Sequence, residues 1–392
     1  MNRSLSGSEI EERISGFSSW IEVDLDSVRH NLSQVRGLVG DHRIIPVVKA
    51  NGYGHGLTPL VRFLMEEGVD IFLVAKLEEA LAIRRAGLRC GVLNMEPLFS
   101  DHQFRTVVSE NITQTVFTLE TAEKLSKAAE ATGTTAKVHV KLDTGLGRVG
   151  VRHDQAVEFI KRVHGLPAIE VEGLFSTLTE TKPFDEVQLS RFLEVDASLR
   201  RAGVEIPLRH LASSDAILSF PESYLDAVRP GILLYGLYPS HVAEGERRVE
   251  LKPALSFKAR VELVKHIEAG DSVSYVRRYV ADRRMKVATI HVGYSDGYPR
   301  ELSNKGSILL GSHKAPIIGD VSANHFMVDL GDLDVKEGDE ALLMGGEDAV
   351  SISQVAHLAG ASVYKTVIGL NPLLPRAYLK GGAYVELHTP LT

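Results

Sequence analysis

Short apolar runs rich in β-forming residues alternate with helical patterns through the first 240 residues. The strand candidates are RIIPVVKA, DIFLVA, GVLNM, ITQTVFT, AKVHVKLD, IEVEGLFS, LRHLAS and AVRPGILLYG. Between most of them lie stretches such as LEEALAIRRAG and LETAEKLSKAAEATG, with apolar residues at i, i+3 and i+4 and a closing glycine. Strands alternating with helices predict a parallel sheet. About eight such units in roughly 220 residues fit a closed (β/α)8 TIM-type barrel, which typically needs ~250. An open, doubly wound α/β sheet is the alternative. Ahead of the barrel, WIEVDLDSVRHNLSQVRGLV reads as a strand followed by a helix. Leu25, Val28, Leu32 and Val35 share one helical face, and Asp24 or Asp26 supplies the cap.

The pattern changes after Pro239. SHVAEGERRVE is polar and reads as a linker, and the rest is a succession of short strands with turn residues between them, among them KPALSFKARVELVKHI, MKVATIHVGYS, HFMVDL and AYVELHT. One helix, VSISQVAHLAG, interrupts them, with Ser351 as its cap and Gly360 at its end. The expected organisation is a flexible N-terminal segment (1–17), a barrel (18–240) and a second, mostly β C-terminal domain (241–392).

Composition narrows the class. The chain has 392 residues, 44% apolar and 24% charged, with a net charge of −7. That balance favours a soluble globular protein and argues against nucleic acid as a partner. No apolar run approaches the ~20 residues of a membrane span, and no basic-then-apolar leader opens the sequence. A single cysteine, Cys90, excludes an intrachain disulfide framework and a CxxC metal or redox motif. No metal site is read from the sequence, and a cytoplasmic location is expected.

Candidate chemistry begins at VVKANGYGHG, residues 47–56. Lys49 stands where an apolar strand stops, and in a barrel functional side chains come from the C-terminal ends of strands. Desolvation there lowers a lysine's pKa and makes it a nucleophile or Schiff-base amine. The plain alternative is a strand-end lysine that snorkels to water. Gly52, Gly54 and Gly56 allow a sharp turn, and Tyr53 offers a hydroxyl to an anion.

The full string resembles the cofactor-lysine motif of the alanine racemases, pyridoxal-phosphate enzymes of the barrel-plus-β-domain type. KLDTGLGRVGV, RPGILLYGLYPS, VSYVRRY and VGYSDGYPR extend the resemblance over nearly the whole chain in the same order. The resemblance implies that Lys49 carries pyridoxal 5′-phosphate and acts as one catalytic base, with Tyr275 as the opposite base. Racemisation needs one group on each face of a planar carbanion, so two bases are chemically required. By the same resemblance, Arg229 faces the pyridine nitrogen, while Tyr53, Ser214, Gly231 and Ile232 contact the phosphate. Arg148 serves the cofactor's phenolic oxygen and the substrate carboxylate, and Lys141 is the position that is often carbamylated. Ala323 offers its N–H to the substrate carboxylate, and Tyr294 lines the entrance. Tyr275, Tyr294 and Ala323 act in the partner's active site, which implies a homodimer.

GLGRVG also satisfies GxGxxG after a strand, with Glu170 or Glu172 near the acidic position of a dinucleotide site. A lone, mid-chain match of this kind is weak. Departures from the family pattern cluster on the substrate side. Ala323 and Asn324 stand where Met-Asp is usual, Thr177 replaces a histidine, Leu146 a methionine and Pro372 a tyrosine. Lys182 and Asp320 exchange the usual acid and arginine, which predicts an ion pair between Lys182 and Asp320 of the partner subunit, or two solvated surface charges. The expected activity is racemisation of a small amino acid, alanine first and serine as a variant, yielding D-alanine for peptidoglycan precursors. A related barrel-type decarboxylase and a non-catalytic cofactor-homeostasis protein are the alternatives.

Overall fold

The computed structural model describes residues 5–346 and 350–390. Eight parallel strands form the barrel: Arg43–Ile44, Ile71–Val74, Gly91–Asn94, Thr113–Val116, Ala136–Asp143, Ile169–Phe175, Leu208–Ser213 and Ala227–Arg229. The first pairs with the last, and Val47 bridges Leu73 on the second strand, so the sheet closes on itself and the open-sheet alternative falls. All eight coincide with the apolar runs of the sequence. Ile71–Val74 is buried at every position, as expected of a strand covered on both faces.

The second sheet has nine strands and gathers the C-terminal part of the chain. It also recruits the chain's beginning. Ser19–Asp24 pairs antiparallel with Leu255–Ile267 and parallel with Arg376–Lys380. This strand, placed with the barrel by its position in the sequence, is therefore an interior strand of the β sheet. Its apolar Trp20, Ile21 and Val23 specify a buried strand but not which neighbours bury it. The helix Leu25–Val39 follows, with Leu25, Val28, Leu32 and Val35 buried and Asp24 capping it through the Asp26 N–H at 2.9 Å.

The N-terminal segment departs from the expected flexibility. Gly7–Ser15 is a helix with a Ser6/Glu9 capping box, and its Ile10 and Ile14 pack with Trp20 and Ala377. Residues 1–4 of that segment lie outside the described residues. The polar linker contains a short helix, His241–Glu246, capped by Ser240. In the β domain, Ser351 caps Ile352–Leu358 as expected, and a second helix, Val363–Ile368, follows it.

The β domain also grips the loop behind Lys49. Arg376 is fully buried and donates from Nε to the Gly54 carbonyl at 2.8 Å, while Tyr378 Oη donates to the His55 carbonyl at 2.9 Å. Among the described residues, no helix is long and apolar enough to cross a membrane.

Candidate active site

Lys49 opens a turn of unusual hand. Ala50, Asn51, Gly52 and Tyr53 all have φ between 53° and 60°. L-residues visit this region as single positions at about 1–2 kcal/mol each, so Ala50, Asn51 and Tyr53 represent stored strain, while Gly52 adopts the region freely. The run persists because it is tied down at both ends. Gly52 N–H donates to the Val48 carbonyl (2.9 Å), Asn51 Oδ1 accepts from Leu57 N–H (2.9 Å), and Asn51 N–H reaches Glu79 Oε1 (3.3 Å). A Cβ on Gly54 would lie 2.2 Å from the Val367 carbonyl oxygen, at φ +83°, so only glycine fits under the β domain there. The turn leaves the Lys49 amine 5.9 Å from the Tyr53 ring. Burial, then the Arg148 guanidinium, pushes the Lys49 pKa below the ordinary lysine value, against an opposing effect of Glu79.

Tyr53 points at the end of the last barrel strand. A Cβ on Gly231 would meet Tyr53 Oη at 2.7 Å, and Gly231 N–H donates to Ser214 Oγ at 2.9 Å. Gly231 also precedes the 3-10 turn Ile232–Tyr235. Two hydroxyls and the N-terminal end of that turn thus converge where a side chain would intrude, a donor set suited to a phosphate. The ring of Tyr364, a residue the sequence reading missed, stands 6.1 Å from that of Tyr53. It brings a second tyrosine beside Tyr53, although Pro372 holds the position where the family usually has one.

Arg229 is buried and donates four hydrogen bonds. Nη1 reaches His210 Nδ1 (2.8 Å) and the His210 carbonyl (2.7 Å), and Nη2 reaches the carbonyls of Ser176 (2.7 Å) and Leu211 (2.9 Å). Burial lowers its pKa to about 9, which leaves it a cation at neutral pH. Because Arg229 can only donate, His210 Nδ1 accepts and Nε2 carries the proton toward His139 Nδ1, 2.9 Å away. His139 Nε2 then faces Glu172 Oε2 at 3.6 Å, just beyond hydrogen-bond length. Burial holds both histidines below their ordinary pKa, and the Glu172 carboxyl falls to about 2, with His139 and Lys137 beside it. Every donor in this row points away from Arg229, which fixes both imidazole tautomers.

Lys141 lies within the strand Ala136–Asp143, 1% exposed, with its amine over the Phe175 ring at 4.5 Å. It donates to Thr177 Oγ1 at 2.9 Å, so the residue replacing the family histidine holds this lysine. Burial, then the Arg229 and Arg148 guanidiniums, lowers its pKa to about 7. Arg148 is exposed in the loop after the strand, where Asp143 Oδ1 accepts from Gly145 and Gly147 N–H at 3.0 Å each. The short strand Val151–Arg152 follows GLGRVG where a dinucleotide motif requires a helix, and this removes the nucleotide reading.

Three further positions group on the β domain. Tyr275 sits in a 3-10 turn between the paired strands Ser272–Val273 and Tyr279–Val280. Ser274, Val276 and Arg277 around it all have positive φ, a costly geometry for a β-branched valine. Tyr275 is 77% exposed and Val276 89%. The Ala323 carbonyl accepts from Ser295 N–H (3.0 Å) and Ser295 Oγ (2.7 Å), and Asn324 Nδ2 donates to Ser295 Oγ (2.8 Å). Tyr294 N–H donates to the Ser322 carbonyl at 3.0 Å, which fastens the Tyr294 and Ala323 segments together. Asp320 meets Arg278 of its own chain at 3.6 Å, a competitor for the expected pairing with Lys182.

Lys49, Tyr53, Lys141, Arg148, Ser214, Arg229, Gly231 and Ile232 thus gather on the barrel, while Tyr275, Tyr294 and Ala323 lie on the β domain, the last two on segments fastened together. His210, His139 and Tyr364 were missed. The two histidines carried a signal, since each sits mid-strand in an apolar run (AKVHVKLD, LRHLAS), where a buried imidazole needs a partner.

Comparison with known proteins agrees with this geometry. The alanine racemase N-terminal domain family matches residues 23–239 and the alanine racemase C-terminal domain family residues 254–378. The alanine racemase of Desulforamulus reducens is 40% identical over 367 residues, covering 92% of this chain and 98% of its own. That of Desulfovibrio desulfuricans is 40% identical over 368 residues, with coverage of 92% and 98%. Among solved structures, alanine racemase of Clostridium difficile 630 superposes with a TM-score of 0.92 at 31% identity, covering 96% of this chain and all of its own. The Bacillus anthracis alanine racemase with bound L-Ala-P gives 0.89 at 31% identity, covering 95% and 98%. With both halves matched in order, the chain belongs to the alanine racemase family.

Proposed function

We propose that this chain is a homodimeric, pyridoxal-phosphate-dependent alanine racemase, with Lys49 of one subunit and Tyr275 of the partner subunit as its two bases. One observation carries the reading: a desolvated lysine amine stands beside the anion-binding donors around Gly231. Tyr53, Ser214, Gly231 and Ile232 would hold the phosphate, and Arg229 would face the pyridine nitrogen. The pocket at Gly231, which even a Cβ would close onto Tyr53, fits such a group. The cofactor, when bound, supplies the electron sink that stabilises a carbanion at the substrate's α-carbon.

The chain's own residues supply the rest. Lys49, with its pKa lowered by burial, supplies Nζ as the group that exchanges a proton on one face. Tyr275 Oη exchanges a proton on the other. Arg229, held as a cation by four acceptors, cannot give a proton to the ring nitrogen at neutral pH, which restrains the sink and favours reprotonation over side reactions. Arg148 and the Ala323 N–H would orient the substrate carboxylate. The exposure of Tyr275, Val276 and Tyr294 (52%) supports a partner subunit covering this face. The lone, buried Cys90 is compatible with a reducing, cytoplasmic setting.

Absorbance spectroscopy of the purified protein followed by polarimetry with L- and D-alanine tests the reading. A lysine-bound cofactor band should be present and lost in Lys49→Ala, and either enantiomer should relax to the racemic mixture. Cofactor binding with neither enantiomer converted would point to the binding-protein alternative and overturn the proposal.

A further inference from the structure

The β domain contains a cluster that the racemase chemistry does not use. The strand Met285–Ile290 pairs on one side with Leu255–Ile267 and on the other with Phe326–Asp329. Ile290 opposes Phe326, so His291 and His325, the next residues outward, face each other across the strands. The register with Leu255–Ile267 shifts between Val261 and Leu263, which leaves Glu262 as the extra residue of a bulge. A bulge re-aims its side chain, and here it turns Glu262 toward the two imidazoles.

Glu262 Oε2 lies 3.1 Å from His325 Nε2 and 3.5 Å from His291 Nδ1, and the rings are 4.5 Å apart between centroids. One potential ligand atom from each residue falls within 4.8 Å of the other two. Metal–ligand bonds of about 2.0–2.2 Å at tetrahedral angles place neighbouring donors about 3.3–3.6 Å apart. The His291 distance falls inside that range and the His325 distance just below it. Two imidazoles and a carboxylate are the donor set of zinc-class ions, and three protein ligands leave a position for water. Among the described residues, this is the one group of three such side chains drawn so close together.

We propose that Glu262, His291 and His325 form a binding site for a zinc-class divalent cation that braces the root of the two segments carrying Tyr294 and Ala323. His291 lies three residues before Tyr294, and His325 two residues after Ala323. The His325 carbonyl accepts from Ser322 N–H (2.8 Å) and Ser322 Oγ (2.7 Å), and Ser322 also receives the Tyr294 N–H. An ion held by the two imidazoles would tie together the strand ends from which both segments emerge. The proposal stands on this cluster alone and does not depend on the racemase reading.

Equilibrium dialysis of tag-free holoenzyme against Zn2+ alone, with metal analysis, tests it. Wild type should take up one more Zn2+ per chain than a His291→Gln/His325→Gln double variant. Either single substitution should weaken that site by about tenfold or more, since even outer-shell changes cost that much. Zn2+ should raise the Tm of wild type but not of Glu262→Gln, with the variants' circular dichroism confirming that they fold. Equal Zn2+ uptake by wild type and double variant, no saturable uptake by either, or an equal Tm rise in Glu262→Gln would overturn the assignment and leave an ordinary His–Glu charge cluster.

Discussion

At the scale of single residues, the site depends on burial changing what ordinary side chains do. Lys49 and Lys141 are both lysines pushed down by desolvation and by neighbouring guanidiniums, but their surroundings separate their roles. Lys49 is half-buried with its amine near the Tyr53 ring, whereas Lys141 is enclosed between Phe175, Thr177 and two arginines. With a pKa of about 7, the Lys141 amine is largely protonated below that pH and largely neutral above it. Only the neutral amine adds carbon dioxide, and the product would replace a cation among arginines with an anion. Incorporation of isotope-labelled bicarbonate, followed by NMR, should therefore rise as pH increases through about 7 and be absent from Lys141→Ala. No pH dependence, or equal labelling of the variant, would sink this expectation. Tyr275→Phe removes the second proton carrier without touching the cofactor donors. Its kcat should fall by about 10²–10⁴-fold, the usual contribution of one general acid–base group, while the cofactor absorbance is retained. A variant racemising at the wild-type rate would exclude Tyr275 as a base.

At the scale of elements, the two proposed bases share a device. Lys49 precedes a run of five positive-φ residues, three of them not glycine, and Tyr275 is flanked by three. Such strain persists only where surrounding contacts overdetermine the backbone. Around Lys49 those contacts include Arg376 and Tyr378 from the β domain, so a distant strand holds the barrel's reactive loop in place. The end of the last barrel strand is as tightly specified. In Gly231→Ala, the new Cβ would lie 2.7 Å from Tyr53 Oη, and Tyr53 is itself packed against Tyr235. Overpacking of this kind costs about 1–3 kcal/mol. The variant should melt earlier and bind added pyridoxal phosphate more weakly, by thermal denaturation and spectroscopic titration. Unchanged affinity would mean that Gly231 does not border the phosphate site.

At the scale of the whole molecule, the residues proposed for the chemistry fall on two separate surfaces of each chain. The barrel group is complete within one subunit. Tyr275 and Tyr294 are mostly exposed, and no hydrogen bond or ion pair among the described residues joins Tyr275 to the barrel group. If the site is assembled from two subunits, as we propose, activity should depend on concentration. Specific activity should fall on dilution in step with the dimer fraction measured by analytical ultracentrifugation. A monomer retaining full specific activity would refute the shared site.

The sequence by itself determined the eight barrel strands, the capped helix after Asp24 and the lysine motif, because each is written in local periodicity or in a short contiguous string. Lys49 stood out for that reason, as did the β-rich character of the second domain, whereas Gly231 was singled out only through the family resemblance. Only the tertiary structure decided that Ser19–Asp24 belongs to the β sheet, since a short apolar run specifies that a strand is buried but not by which partner. The place of Arg376 beneath the Lys49 loop and the connection of Arg229 through His210 and His139 toward Glu172 were likewise decided only in three dimensions. Their members lie on different strands, and what makes each polar group tolerable in the interior is a partner far away in the chain, which no local pattern encodes.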